Sequence, residues 1–448
     1  MYTIIGFILT LIFGLFVSLV VVPKMNSLER LGLSYILGLG IQTFLMFAAY
    51  LFGVNFTLES TLVILITATS LLFPFVRKLI RPFAHDLITV IKVKNFNRVE
   101  TTLLLIILFF ILFSLACTLY WPVNSWDSLV LYDWRAKLFY LNGNMDDGIR
   151  RGYFFGVPLL TSLSHTWAYF LGAEKPEFIY TLFLASFISM FFNSLKVFTS
   201  RMISLFAVLP LVTSVDILGH STFSYTNFPY TVYFVMSSIY LYIWMVKGKR
   251  GYLLLSGILL GLSTWTRSTE PFWIVNLVVL VIYSLYKRKL LQPVVFAVPL
   301  FLIRQPWVFF ENSKLDYSTT VTSVVARGIV SIFSQLSLDH IILVASFLYQ
   351  NVFVGLTVYL FAFLFLLIWS IKICLKNRDL WLSGMIIGYF LLIVVGTYML
   401  SFLFRDWKIG GSAARMVMFI PPLIIFYIAS SKKIGNLFGV KYEHEKEI

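Results

Sequence analysis

The sequence predicts an all-α fold: a polytopic transmembrane bundle of about 13 helices whose outer face carries a loop region with interfacial helices. Three observations predict it. Of 448 residues, 59% are hydrophobic and 12% are Asp, Glu, Lys or Arg, about half the charged share of a soluble domain. The apolar residues fall into runs near the length of about 20 that a spanning helix needs. The basic residues gather in short connections between alternate runs, where positive charge orients membrane helices.

Taken in order, the long runs are 4–22, 31–52, 60–76, 101–123, 178–195, 225–246, 352–371 and 380–404. The shorter ones are 202–215, 252–266, 271–286, 290–303 and 416–430. The first run lacks a basic leading stretch and a small-residue cleavage site, so it reads as a retained helix rather than a signal peptide. Segment 153–171 is apolar and aromatic but is broken by Gly156 and Pro158. It is flanked by Arg150, Arg151, Glu174, Lys175 and Glu177.

Charge decides that segment. If 153–171 stays out of the bilayer, one face collects about two thirds of the Lys and Arg and about a third of the acids. If it crosses, every later loop flips and the basic loops divide between the faces. The first arrangement places the N-terminus outside, the C-terminus in the cytoplasm, and 153–171 at the outer surface as an interfacial helix. The expected organisation is then three additional helices and a basic loop over 1–100, a membrane domain over 101–431, and a cytoplasmic tail over 432–448. Large outer regions are expected at 121–177, 304–351 and 405–415, and irregular backbone with acidic residues marks that face as the one to search for function.

Several classes are excluded. The net charge of +15 sits beside apolar runs and forms no basic stripe interleaved with stacking aromatics, so nucleic acid is not a partner. Cys117 and Cys374 lie near opposite faces and give neither a disulfide framework nor metal-ligand spacing. No Walker motif, dinucleotide fingerprint, His-Glu-x-x-His or nucleophile elbow occurs. No cofactor is therefore implied, and no divalent metal is indicated. His165 and His220 read as hydrogen-bonded structural histidines rather than cavity ligands.

The short helices 202–215, 252–266, 290–303 and 416–430 meet the outer side at Asp216, Arg267, Arg304 and Arg415. A charge at that depth is costly unless it faces water or a partner. Snorkelling to the headgroups explains any single arginine. Four on one side, with Glu270 close to Arg267, favour a shared water-filled cavity. The first outer loop, Trp121 to Lys137, holds Asp127 and Asp133 six residues apart, then Arg135 and Lys137. A carboxylate just above the headgroups suits a general base acting beside a lipid-borne substrate. Near the C-terminus, Arg405, Lys408 and Arg415 flank Gly410-Gly411. Such cations fit a phosphate or diphosphate, and they fit nonspecific headgroup contact equally well.

The order of these parts resembles a family. A membrane helix leads to an outer loop with an early Asp (Trp126-Asp127), then to the aromatic-proline segment Tyr153-Phe-Phe-Gly-Val-Pro158. A helix pair follows, joined by Thr266-Arg267-Ser-Thr-Glu270-Pro271, and Ser412-Ala-Ala-Arg415 leads into a last helix with Pro421-Pro422. Over roughly Thr101 to Ser431 this resembles the GT-C fold membrane glycosyltransferases, especially bacterial and archaeal relatives of protein O-mannosyltransferases and aminoarabinose transferases. Three helices precede the Asp loop, Ser128 follows the acid, and Thr-Arg-Ser-Thr-Glu stands where Thr-Arg-Pro-Glu is more usual.

The resemblance implies a sugar transferred from a polyprenyl-phosphate carrier to a hydroxyl of a lipid, glycan or protein acceptor at the extracytoplasmic face of the cell membrane. By the same resemblance Asp127 takes the role of base or acceptor-positioning acid, and Asp133 is the second acidic candidate. Arg267, Arg304, Arg405 and Arg415 are its phosphate-side candidates, to which the loop composition adds Arg135, Lys137, Glu270 and Lys408. An inverting single displacement is expected, with Asp133 leaving a double displacement open. The rivals are a transporter or flippase for a lipid-linked or anionic solute, and an outer-face polysaccharide polymerase or ligase.

Overall fold

The computed structural model describes the chain except residues 93–95, 151–156, 269–270, 315–336, 371–378, 404–414 and 438–448. Among the described residues all regular structure is helical. Nine helical stretches among the described residues are long and apolar enough to cross a membrane, consistent with a multi-pass membrane protein. Four shorter apolar helices accompany them, at Arg201–Thr213, Tyr252–Thr266, Trp273–Tyr286 and Ile420–Ser430. The contacts divide the chain into two compact units, residues 1–268 with 295–308, and residues 269–294 with 309–448. The division falls at 268/269 and within the helix Gln292–Lys314, and the three N-terminal helices belong to the first unit.

In that first unit α1 (Tyr2–Val21) and α2 (Ser27–Leu51) form an antiparallel hairpin. Asn26 caps α2 by accepting from the Leu28 N–H at 3.0 Å, satisfying a donor that a helix start leaves unpaired. Arg30 reaches back and donates to the Val22 and Pro23 carbonyls at 2.7 and 3.0 Å. Glycine sets the crossing: a Cβ at Gly14 would run into the Ser34 carbonyl, and one at Gly38 into that of Thr10. Such small-residue contacts let membrane helices approach backbone to backbone. Thr10 Oγ1 then donates to Gln42 Oε1 at 2.7 Å across the interface.

Helix α3 (Leu58–Lys92) was expected to end near residue 76 but continues to Lys92. Its 35 residues span about 52 Å at the α-helical rise, well beyond a hydrocarbon core of about 30 Å. The extension is held because Leu79, Ile80 and Phe83 pack against the Phe16, Leu19 and Val76 cluster. Helix α4 (Arg98–Tyr120) starts with a reciprocal capping box between Asn97 and Glu100. Glu100 also pairs with Arg201 through two 2.6 Å contacts, which ties α4 to the start of the later short helix Arg201–Thr213.

The loop after α4 folds into α5 (Asp133–Asn142), α6 (Asp146–Arg150) and α7 (Leu160–Phe170). Helix α7 is about 16 Å long, half of what a crossing requires. Residues Leu160 to Ala168 are buried without a break, so this helix is enclosed by protein rather than laid on lipid along one face. Residues 153–156 of the expected interfacial segment lie outside the described residues. A reporter fused after Gly172 is expected to read as extracytoplasmic and one after Lys247 as cytoplasmic. A cytoplasmic signal at Gly172 would overturn that orientation.

The unit continues through α8 (Phe178–Leu195), α9 (Arg201–Thr213), α10 (Val215–His220), α11 (Asn227–Lys247) and α12 (Tyr252–Thr266). Helix α11 is buried from Asn227 to Met245 and forms the centre of the unit. Ser237 and Ser256 exchange hydrogen bonds at 2.8 and 2.7 Å and join it to α12. The middle of α14 (Gln292–Lys314) packs on α12, with Gly257 against the Phe296 carbonyl and Gly261 against Ile303. Gly257→Ala drives a methyl into backbone, and overpacking of this kind costs about 1–3 kcal/mol. A lower melting temperature is expected for it in detergent, with Gly384→Ala, where nothing lies within 4 Å, as the unaffected control. Equal melting of the two variants would contradict the close crossing.

The second unit holds α13 (Trp273–Tyr286), α15 (Leu338–Leu348), α16 (Val354–Trp369), α17 (Asp379–Leu403), α18 (Ile420–Ser430) and α19 (Lys432–Leu437). A π-helical turn joins α15 to α16 in one stretch, Leu338–Trp369, so part of the outer region expected at 304–351 is helix. Tyr389 on α17 donates to Asn276 Oδ1 on α13 at 2.7 Å. Asp379 accepts from Ser431 Oγ and the Lys432 N–H, both at 3.3 Å.

Candidate functional site

The polar chemistry of the first unit concentrates where α4 gives way to the loop that follows it. Lys175 donates to the Leu119 and Tyr120 carbonyls at 2.9 and 2.8 Å, covering acceptors that a helix C-terminus leaves open. The chain then passes Trp121 and Trp126, both exposed, and enters a π-helical turn, Ser128–Tyr132, that runs directly into α5. Single π turns recur at functional sites because they re-aim side chains without ending a helix. Gly143, in the left-handed region at φ 70°, stops α5. Its carbonyl accepts from the Phe56 N–H at 2.6 Å, pinning the loop to the N-terminal helices.

The two acids of this loop sit in different surroundings. Asp127, which precedes the π turn, is partly exposed. Asp133, six residues on, is 1% exposed. Its Oδ1 meets His165 Nδ1 at 2.9 Å and accepts a short hydrogen bond from the Tyr169 hydroxyl. Its Oδ2 meets Lys137 Nζ at 2.9 Å. Burial alone would raise the Asp133 carboxyl. The hydrogen bond and charge of His165, then Tyr169 and Lys137, outweigh it and hold the carboxyl well below the usual range. Tyr169 is pushed up in return, by burial first and then by its bond to Asp133.

His165 carries the network inward. With a carboxylate on Nδ1, that nitrogen holds the proton, and in the neutral ring Nε2 accepts from the Tyr180 hydroxyl at 3.0 Å. Nearby, Ser224 donates to Glu177 at 2.8 Å, and Tyr132 meets Thr226 at 3.1 Å. Burial pushes the Glu177 carboxyl upward, against the pull of Ser224. The result is a continuous run of buried polar side chains joining α5, α7 and the start of α8 to the 221–226 turn.

Arg135 was expected on the ligand side, and the structure places it elsewhere. It is fully buried, donating from Nε to Ser162 Oγ at 3.1 Å and from Nη1 to the Val157 carbonyl at 2.9 Å. Burial lowers its pKa to about 10, so it stays charged at neutral pH and braces α5 against the start of α7. Lys137 is half-exposed and committed to Asp133.

Arg267 and Arg304 lie toward the same end of the α12–α14 pair. The Trp265 and Trp307 rings beside them are 6.0 Å apart, and both arginines are partly exposed. Arg304 is not the end of a truncated helix as expected, because α14 runs on to Lys314. Arg415 belongs to the second unit. Glu270, Arg405 and Lys408 lie outside the described residues. Among the described residues no group of three or more His, Cys, Asp or Glu is placed to hold a metal ion.

The sequence reading missed the pairing of Asp133 with His165, which are 32 positions apart. A local signal existed: Thr161, Ser162, Ser164, His165 and Thr166 crowd a segment otherwise apolar, and polar groups so dense beside buried aromatics need partners. Comparison with protein-family models, curated proteins and solved structures found no match for this chain.

Proposed function

We propose that this chain is a membrane glycosyltransferase with a GT-C-like bundle of about 13 crossings, moving a sugar from a polyprenyl-phosphate carrier to an acceptor hydroxyl at the extracytoplasmic face. The observation that carries this reading is the contrast between the two acids. Asp133, His165, Tyr169 and Tyr180 lock α5 to α7, and Asp127 stands partly exposed at the entrance to the same helical platform. A channel or carrier has no need of a carboxylate fixed in that way.

In this reading Asp127 takes the acceptor's hydroxyl proton, or holds that hydroxyl in line, while its oxygen attacks the anomeric carbon. The bond from that carbon to the carrier's phosphate oxygen breaks, and the lipid phosphate leaves with the electron pair. Its growing charge is where arginines stabilise the transition state most, the role assigned to Arg267 and Arg304. Asp133 has both oxygens engaged, so it serves to position the loop, and the reaction is a single inverting displacement.

The test supplies purified protein with polyprenyl-phosphate hexose and a hydroxyl acceptor. Formation of glycosylated acceptor, lost in Asp127→Asn and reduced in Arg267→Ala and Arg304→Ala, supports the reading. Movement of the lipid-linked sugar between leaflets without transfer would instead identify a flippase. Transfer that ignores the Asp127 substitution would remove that residue from the site.

A further inference from the structure

We propose that the cleft among α2, α4, α8 and α9 is a binding site for one anionic glycerophospholipid, with an acyl chain in the cleft and the phosphate at Lys196 and Arg201. The cleft offers about 240 Å³ of open-sided space, with walls that include Ile107 and Ile111 on α4, Ala185 and Ile188 on α8, and Leu205 and Val208 on α9. The two polar side chains on its wall turn their donors to backbone: Ser189 to the Leu28 carbonyl at 2.7 Å, Asn193 to that of Ser189 at 2.8 Å. Helices α4 and α8 are both apolar enough to span, so the cleft lies at bilayer depth. Water finds few partners against such a wall, whereas an alkyl chain gains dispersion contacts along its length.

The charges say which lipid. Phe96 and Phe192 are also on its wall. Lys196 Nζ stands 5.6 Å from the Phe192 ring centre, and the Arg201 guanidinium 4.8 Å from that of Phe96. Both cations thus sit where a headgroup emerges when its chain fills the cleft. Arg98, exposed in the first turn of α4, adds a third positive charge. Against them stand Glu100, consumed by Arg201, and Glu29, which is buried and bonded to Ser194. The balance is positive, and each cation near a membrane surface contributes about 1 kcal/mol toward an anionic headgroup. A zwitterionic lipid fills the cleft equally well but gains less at its rim. The site rests on no assignment of catalytic function.

The test is native mass spectrometry of the full-length protein, released from nanodiscs made of equal phosphatidylglycerol and phosphatidylcholine. The expected result is one retained phosphatidylglycerol per chain under conditions that strip phosphatidylcholine. Lys196→Gln should cut that preference about fivefold, the equivalent of one surface cation. Ala185→Phe, which fills the cleft, should abolish retention of either lipid while Lys196→Gln keeps the chain-length dependence of binding. Equal retention of the two lipids by the unaltered protein, or a Lys196→Gln variant that keeps the full preference, would overturn the proposal. Should Ala185→Phe fail to fold, the Lys196→Gln comparison alone decides.

Discussion

Replacing Asp127 by Asn is expected to lower sugar transfer by about 10²–10⁴-fold, the range a positioned general base contributes, with the melting temperature unchanged. The substitution keeps the shape of the side chain and removes its ability to take a proton. Asp127 is partly exposed at the start of the π turn, whereas Asp133 is buried. The loss should appear in kcat with KM nearly constant, because a base acts on the attacking oxygen in the transition state and holds little of the bound donor. A fall confined to KM would assign Asp127 to acceptor binding. No fall in either constant would remove it from the chemistry.

Replacing Asp133 by Ala acts through the fold, with an expected cost of about 3–5 kcal/mol, the range for breaking one partner out of a buried ionic group. The truncation strands His165 and Tyr169 inside the protein and leaves Lys137 without its 2.9 Å acceptor. Unfolding in mild detergent, followed by tryptophan fluorescence, measures it, and a change below about 1 kcal/mol, the worth of a surface pair, would show that the network is not a support. The pH dependence has a defined sign. The folded carboxyl of Asp133 lies below its unfolded value, so its stabilisation is complete above about pH 4. It is lost as the pH falls through the folded value. Glu177 works in the opposite direction, since its folded carboxyl is raised by burial and its contribution declines as the pH rises through that raised value. Asp133→Ala should remove the acid limb of the stability profile and leave the Glu177 limb in place.

These two substitutions also separate what could be read from the chain from what could not. That both acids follow a membrane helix, and that cations and tryptophans follow them, is plain in the sequence. The likeness of their setting ends there. A π turn separates the two acids and sets them in different surroundings, Asp127 partly exposed and Asp133 buried against α7. No local pattern tells which is which, because the answer depends on where His165 and Tyr180 lie. Arg135 shows the same limit: its composition suggests a phosphate ligand, and burial against Ser162 and Val157 makes it a brace.

Helix ends were legible where the chain carries its own signal and not where packing overrides it. Helix α12 stops at Thr266 with Arg267 as its cap, close to the expected end. Helices α3 and α14 run past theirs, through Pro82 and Pro306 respectively. A proline forfeits one backbone hydrogen bond, and for α3 the burial of Leu79, Ile80 and Phe83 against α1 offsets that loss. Hydropathy senses the edge of an apolar run, whereas the helix continues for as long as its side chains find a surface.

Composition alone names the solvent. A chain that is 59% hydrophobic and 12% charged can satisfy its backbone in lipid as helices or as a closed barrel; apolar runs of about 20 residues select helices, and their spacing sets where most of them lie. The tertiary structure decided everything that depends on residues far apart in the chain. It put glycines where α1 crosses α2 and α12 meets α14, enclosed α7, and divided two neighbouring aspartates into a buried clamp and a partly exposed acid. Hydropathy is a sum over neighbours in sequence, and a carboxylate's role is set by its neighbours in space.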